Sequence, residues 1–365
     1  MLQRNIHSVY RSVLRRNATA IELRYYLPLF RNGRFTSNLL IHTLLNSPEK
    51  KQINIRDNQL IELNKQKLNE TQNKSKSVTI EKSTIPPKPK EEFNNIPNNY
   101  FTEFKIHPNQ VVRPPNFPNI YISLTTTPTR IINLKMTIKS ILMQYMLPDK
   151  IILNIPHKLL RTGEEYIIPE WLSKCPLIYI NRCTDFGPGT KLIGSLDIIK
   201  NPNDIIITID DDIYYPEKMI WYYYNTVSYN KFSNKVYGLA GFLYTRPFTG
   251  QTKAIRQKNM AKCDVLEGFA SICYLRHFFS DDIKEYTNMP QYVVLSDDLY
   301  LNNYLNGKNI IRYVLHFNDC SWFDLLVLEI GNKSDALHIL DNQGNRTKYI
   351  QCINYFKSIA KSYLL

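Results

Sequence analysis

The sequence predicts an α/β domain of the Rossmann-like kind, with a mostly parallel central sheet, preceded by a basic N-terminal extension and a linker. Three observations predict it. From Asn119 onward, apolar runs of strand length alternate with stretches of helical spacing. The runs are nearly continuous in Ile, Leu and Val, as strands covered on both faces require. Polar and Gly/Pro-rich segments follow them, at the edge where ligands gather beyond the carboxyl ends of parallel strands.

The elements follow in order. Ile120–Leu124 reads as the first strand and Leu134–Met143 as a helix with apolar residues at helical spacing. Lys150–Ile155 is β-branched and closed by Pro156; Leu177–Ile180 is a third strand; Thr190–Ile199 is a second helix; Asp204–Ile209 (DIIITI) is a fourth strand. A helix is expected to begin near Pro216. A further amphipathic helix begins at Ser296 and carries Leu299, Leu301, Tyr304 and Leu305.

Ahead of this domain, placed at 119–360, lie a basic extension over 1–48 and a polar Pro/Asn/Lys-rich linker over 49–118. At 365 residues, 43% hydrophobic and 21% charged, the chain can bury a sizeable core, which excludes global disorder. No run approaches the length of a membrane-spanning helix, and Arg residues interrupt every apolar stretch that could form a secretory signal.

The formal charge is +14, but seven arginines against Glu22 alone sit in the first forty residues. Residues 119–365 hold 27 basic against 23 acidic side chains. A nucleic-acid partner would call for basic residues on the folded body, so none is expected. The basic N-terminus reads either as an organellar targeting segment or as an extension touching a membrane surface or another protein. The expected location is cytoplasmic or peripheral at a membrane. Six cysteines form no CxxC pair and read as free, mostly buried thiols.

The chemistry concentrates after the fourth strand. Asp210, Asp211 and Asp212 are consecutive carboxylates at the end of a buried strand, and their mutual repulsion raises their pKa values unless a cation compensates. A hard divalent ion, Mn²⁺ or Mg²⁺, prefers such oxygens and commonly bridges them to substrate phosphates. In an extended segment Asp210 and Asp212 project the same way, with Asp211 opposite. The plainer reading is that the aspartates cap the helix near Pro216.

Several segments carry a family resemblance. Ile207–Pro216 (ITIDDDIYYP) resembles the DxD segment of GT-A-fold glycosyltransferases, which use nucleotide-sugar donors. Asn119–Arg130 (NIYISLTTTPTR) is similar to the first strand and nucleotide loop of family-2-like members. Arg182–Leu192 (RCTDFGPGTKL), Cys263–Tyr274 (CDVLEGFASICY) and Leu295–Leu301 (LSDDLYL) resemble motifs of a bacterial and giant-virus subgroup, in order. The similarity spans about 119–356.

The resemblance implies a donor that is a nucleoside-diphosphate sugar and an acceptor that is a glycan, a lipid-linked sugar or a protein, with inversion at the sugar. It places the metal at Asp210 and Asp212, with His338 as a further ligand, and the base at Asp298 or Asp297. It places Thr125, Thr126 and Asp185 on the donor; Asp210 either holds the metal or reaches the donor ribose or a metal-bound water, and Asp211 either orients the donor site or is solvated. By charge, Arg130 and Lys191 suit diphosphate oxygens, and Gly187-Pro188-Gly189 lets backbone approach an anion. Glu267 and Gly268 suit the acceptor, Gly268 because it lacks a side chain. For the acidic pair at 297–298 the plainer reading is helix capping; for Trp221–Tyr224 and Tyr244, core packing. Two other readings stand beside this one: another Mg²⁺-dependent phosphotransferase or nucleotidyltransferase, and a non-catalytic carbohydrate-binding protein on the same scaffold.

Overall fold

In a computed structural model of the chain, the described residues are Tyr10, Ala18, Leu23, Leu27 and Pro28, then 98–101, 110–111, 113–114, 116–245, 251–255, 259–317, 319–328 and 344–359. The chain divides into two units, Met1–Asn94 and Asn95–Leu365. Most of the extension expected over 1–48 and most of the stretch 49–118 lie outside the described residues. Where that stretch is described it packs onto the domain: the Phe101 ring lies 4.3 Å from Trp171, and the Val111 N–H donates to the Tyr145 carbonyl.

The second unit is built on strands β1 (Ile120–Thr125), β2 (Lys150–Pro156), β3 (Ile178–Cys183), β4 (Ile205–Thr208), β5 (Ile213–Tyr214), β6 (Lys235–Gly238), β7 (Gly241–Tyr244), β8 (Thr252–Ala254), β9 (Asn259–Lys262), β10 (Val265–Leu266), β11 (Ile272–Leu275), β12 (Ile311–His316) and β13 (Leu326–Val327). Eight of them form one sheet in the order β3-β2-β1-β4-β11-β6-β12-β9. β11 and β9 run against the other six, so the sheet is mostly parallel and the chain has the expected α/β, Rossmann-like architecture. Two small sheets, β10-β7-β8 and β13-β5, complete it.

Burial follows position in the sheet. Every residue of β4 is buried, and all of β2 after Lys150, because helices and turns cover both faces. β3, at the edge, exposes Tyr179 and Arg182. It also runs three residues beyond the expected Ile180, because pairing with β2 continues to Cys183 opposite Pro156.

The helix expected over Thr190–Ile199 is shorter. It is one α-turn, Thr190–Ile193, followed by a 3₁₀ turn at Gly194–Asp197. The Gly194 carbonyl accepts a 2.8 Å hydrogen bond from the Asn181 side chain, which takes it out of a helical ladder. A Cβ at Gly194 would lie 2.9 Å from Asn154 Oδ1, so the turn presses directly onto β2. The helix after the aspartates begins at Met219, three residues past Pro216, because a turn at 217–218 comes first, with the Met219 N–H donating to the Pro216 carbonyl. All six cysteines are free and five are buried. Among the described residues, no helix is long and apolar enough to cross a membrane.

Candidate active site

The carboxyl ends of β1 and β4 lie side by side, Ser123 opposite Thr208, and β11 starts at that edge, Ile272 opposite Thr208. The 268–270 turn before β11 is thereby brought beside the aspartates that follow β4. The helix Asp297–Gly307 supplies the third wall.

The three aspartates do not follow the expected alternation, because the chain turns at 211–212: Asp211 and Asp212 share Arg130, while Asp210 faces Lys191. Asp211 is buried, its side chain 7% exposed, and its Oδ2 accepts from Thr126 Oγ1 at 2.6 Å. Its backbone carbonyl accepts from Thr137 Oγ1 at 2.7 Å. Asp210 and Asp212 are partly buried, 29% and 32% exposed. Arg130 Nη2 lies 2.7 Å from Asp211 Oδ1 and 2.6 Å from Asp212 Oδ2. Helix capping does not explain the triplet: Met219–Tyr229 begins after Lys218, with no side-chain cap.

Lys191 sits between the two acidic clusters. Its Nζ lies 2.7 Å from Asp210 Oδ1 and 3.4 Å from Asp297 Oδ2, and its side chain is only 8% exposed. A buried polar group holds the turn that carries it. The Lys191 carbonyl accepts from Ser123 Oγ and from Asn154 Nδ2, and Asn154 also donates to Ser195 Oγ at 2.8 Å. Asp298 Oδ1 accepts from the Gly268 N–H at 2.8 Å. A Cβ on Gly268 would meet both Asp298 Oδ1 and Lys191 Nζ at 2.9 Å. Neither acid replaces the missing cap of its helix: Ser296 makes no side-chain cap, and its Oγ donates to the Tyr292 carbonyl.

The electrostatics follow from this crowding. Burial, opposed by Arg130, pushes the Asp211 carboxyl up to about 7. Asp212 is raised by burial and by Asp210. Asp298 is raised well above the usual carboxylate range by burial and by Asp297, with Lys191 pulling the other way. Burial works against the Lys191 ammonium, but Asp210, Asp297 and Asp298 outweigh it and raise its pKa. Two cations thus face five carboxylates. The deficit is relieved either by protons, as the raised pKa values report, or by added positive charge.

Other expected residues stand apart. Thr125 Oγ1 donates to the Asn154 carbonyl at 2.9 Å. Asp185 shapes its own loop, accepting from the N–H groups of Leu160 and Gly187 at 2.8 and 2.7 Å. Glu267 lies near enough to Asp298 to act on its charge. His338 lies outside the described residues. Tyr223 and Tyr244 are buried, in keeping with core packing, and Tyr223 hydrogen-bonds Ser271 at 2.8 Å. Sequence reasoning passed over Tyr215 and Asn302, although Tyr215 lies in the ITIDDDIYYP segment and Asn302 falls one helical turn after Asp298.

Among the described residues, no three His, Cys, Asp or Glu side chains converge as a metal cage. Asp210 and Asp212 are instead drawn onto Lys191 and Arg130. The donor chemistry nonetheless suits a hard divalent ion: two partly buried carboxylates, an excess of negative charge, and a buried Asp297 Oδ2 that accepts no hydrogen bond.

The chain matches no family model and no curated protein. Among solved structures it is similar to the 2-C-methyl-D-erythritol 4-phosphate cytidylyltransferase of Francisella tularensis, at 15% identity and a TM-score of 0.32, over 60% of this chain and 96% of that one. That similarity is too slight to bear on activity.

Proposed function

We propose that this chain is a metal-dependent glycosyltransferase of the GT-A type that moves a sugar from a nucleoside-diphosphate donor to a hydroxyl acceptor on a glycan, a lipid-linked sugar or a protein. One observation carries the reading: Lys191 Nζ links Asp210 at 2.7 Å with Asp297 at 3.4 Å. Two acidic clusters far apart in sequence are therefore bridged by one lysine, and each suits one demand of glycosyl transfer.

The first demand is to stabilise a departing diphosphate. Asp210 and Asp212 are the residues that would hold Mn²⁺ or Mg²⁺, and such an ion, when bound, offsets the charge developing on the leaving group. Arg130 and Lys191 lie at the same edge with donors suited to diphosphate oxygens. Thr126 holds Asp211 and so keeps the loop after β1 against the triplet.

The second demand is to take a proton from the acceptor hydroxyl. Asp298 suits this role. The Gly268 N–H fixes its orientation, and burial together with Asp297 raises its basicity. Gly268 leaves the approach to Asp298 free of a side chain.

The test is release of nucleoside diphosphate from UDP-glucose, UDP-galactose, UDP-N-acetylglucosamine and GDP-mannose, with MnCl₂ and with EDTA. Metal-dependent release is expected from at least one donor, and Asp212→Asn should lower it by about 100-fold or more at an unchanged melting temperature. Pyrophosphate release from nucleoside triphosphates with sugar phosphates would instead favour a nucleotidyltransferase. Sugar binding without metal dependence or turnover would favour a carbohydrate-binding protein.

A further inference from the structure

The two acidic clusters are connected by a second route besides Lys191, and it runs through backbone. The Asp210 N–H donates to Tyr215 Oη at 2.8 Å, and that hydroxyl donates to the Phe269 carbonyl at 3.1 Å. One residue earlier, the Gly268 N–H donates to Asp298 Oδ1. Two residues before that, Asn302 grips Leu266 as a neighbouring strand would. Its Oδ1 accepts from the Leu266 N–H, and its Nδ2 donates to the Leu266 carbonyl, each at 2.9 Å. The same Nδ2 donates to the Asp298 carbonyl at 2.6 Å.

Tyr215 is fully buried and Asn302 is 1% exposed, so none of these bonds is readily replaced by water. The segment Leu266–Phe269 is thus tied at one end to the donor-side acid and at the other to the helix that presents Asp298. Nothing else about Tyr215 or Asn302 calls for a polar side chain in the core.

We propose that Leu266–Phe269 is a positioning strap, and that Tyr215 and Asn302 act through it to fix Asp298 relative to Asp210. The proposal rests on the glycosyl-transfer reading and adds to it two positioning residues that neither carry charge nor lie in the acidic clusters. Displacements of about 1 Å at a reacting group can cost 100-fold in rate. A strap that holds both groups therefore affects the chemical step more than donor binding.

The test measures kcat and donor KM for nucleoside diphosphate release with MnCl₂, on the full chain and with water as acceptor, using whichever donor above is turned over. Tyr215→Phe removes only the hydroxyl. Asn302→Asp keeps an acceptor for the Leu266 N–H but loses both donated bonds. Tyr300→Phe is the control: it removes a buried hydroxyl, bonded to the Ile283 carbonyl, from the same helix without touching the strap. The expected result is a fall in kcat of about tenfold or more for Tyr215→Phe and Asn302→Asp, with KM within about twofold of the parent and Tyr300→Phe unchanged. Unchanged kcat in both strap variants overturns the proposal, as does an effect on KM alone or a loss that tracks melting temperature equally in all three. A parent protein that releases no nucleoside diphosphate from any donor overturns the glycosyl-transfer reading, and this inference with it.

Discussion

Lys191 faces three acids from a position that is 8% exposed, so its charge cannot be removed without leaving theirs uncompensated. Lys191→Met is expected to destabilise the metal-free protein by about 3 kcal/mol, at the low end for a broken buried pair because Asp210 is partly open; urea unfolding measures this. Lys191→Arg should not restore stability, since a planar guanidinium needs room that Gly268 and Asp298 occupy. Asp211 sets a pH dependence. Its folded pKa of about 7 lies above the usual carboxylate value, so the folded chain binds more protons than the unfolded one across roughly pH 4 to 7. Stability without metal should fall as pH rises through that window. Asp211→Asn should flatten the fall, as read by melting temperature at pH 5 and pH 8. Asp210–Asp212 were legible in the sequence because three carboxylates after DIIITI need compensation, whereas 297–298 came from the resemblance and Lys191 was expected on diphosphate oxygens rather than against Asp210 and Asp297. Tyr215 was not legible, because one tyrosine among 25 carries no mark of its role.

At the scale of elements, two glycines separate packing from chemistry. A Cβ on Gly241 would lie 2.5 Å from the Val265 carbonyl, so Gly241→Ala should cost about 1–3 kcal/mol by forcing β7 from β10. At Gly268 the atoms nearest an added methyl are the ends of Lys191 and Asp298. Gly268→Ala should therefore spare the melting temperature but lower nucleoside diphosphate release by about tenfold or more. Comparing the two variants by calorimetry and by turnover checks both. β1, β2 and β4 were legible because strands buried on both faces are continuous apolar runs. The strands from β5 to β10 were not. They are two to four residues long, too short for a period to register, and β5, β6 and β9 pair with strands far along the chain.

At the scale of the molecule, charge shows how local the site is. The chain carries +14, yet its candidate site holds more carboxylates than cations. Overall charge therefore gave no hint of this acidic edge; the order of motifs did. The convergence of 210–212 with 297–298 depends on β11 turning antiparallel beside β4, which returns the 268–270 turn to the ligand edge. No local pattern announces that reversal. The negative excess at this edge is expected to take a divalent ion together with a diphosphate. Melting temperature in the presence of Mn²⁺, of UDP-sugars or GDP-mannose, and of both tests it most directly. Ligand at about 100 times its Kd adds about 2.7 kcal/mol to stability. The rise with ion and donor together should exceed either alone and be lost in Asp212→Asn. A melting temperature indifferent to every such pair would contradict it.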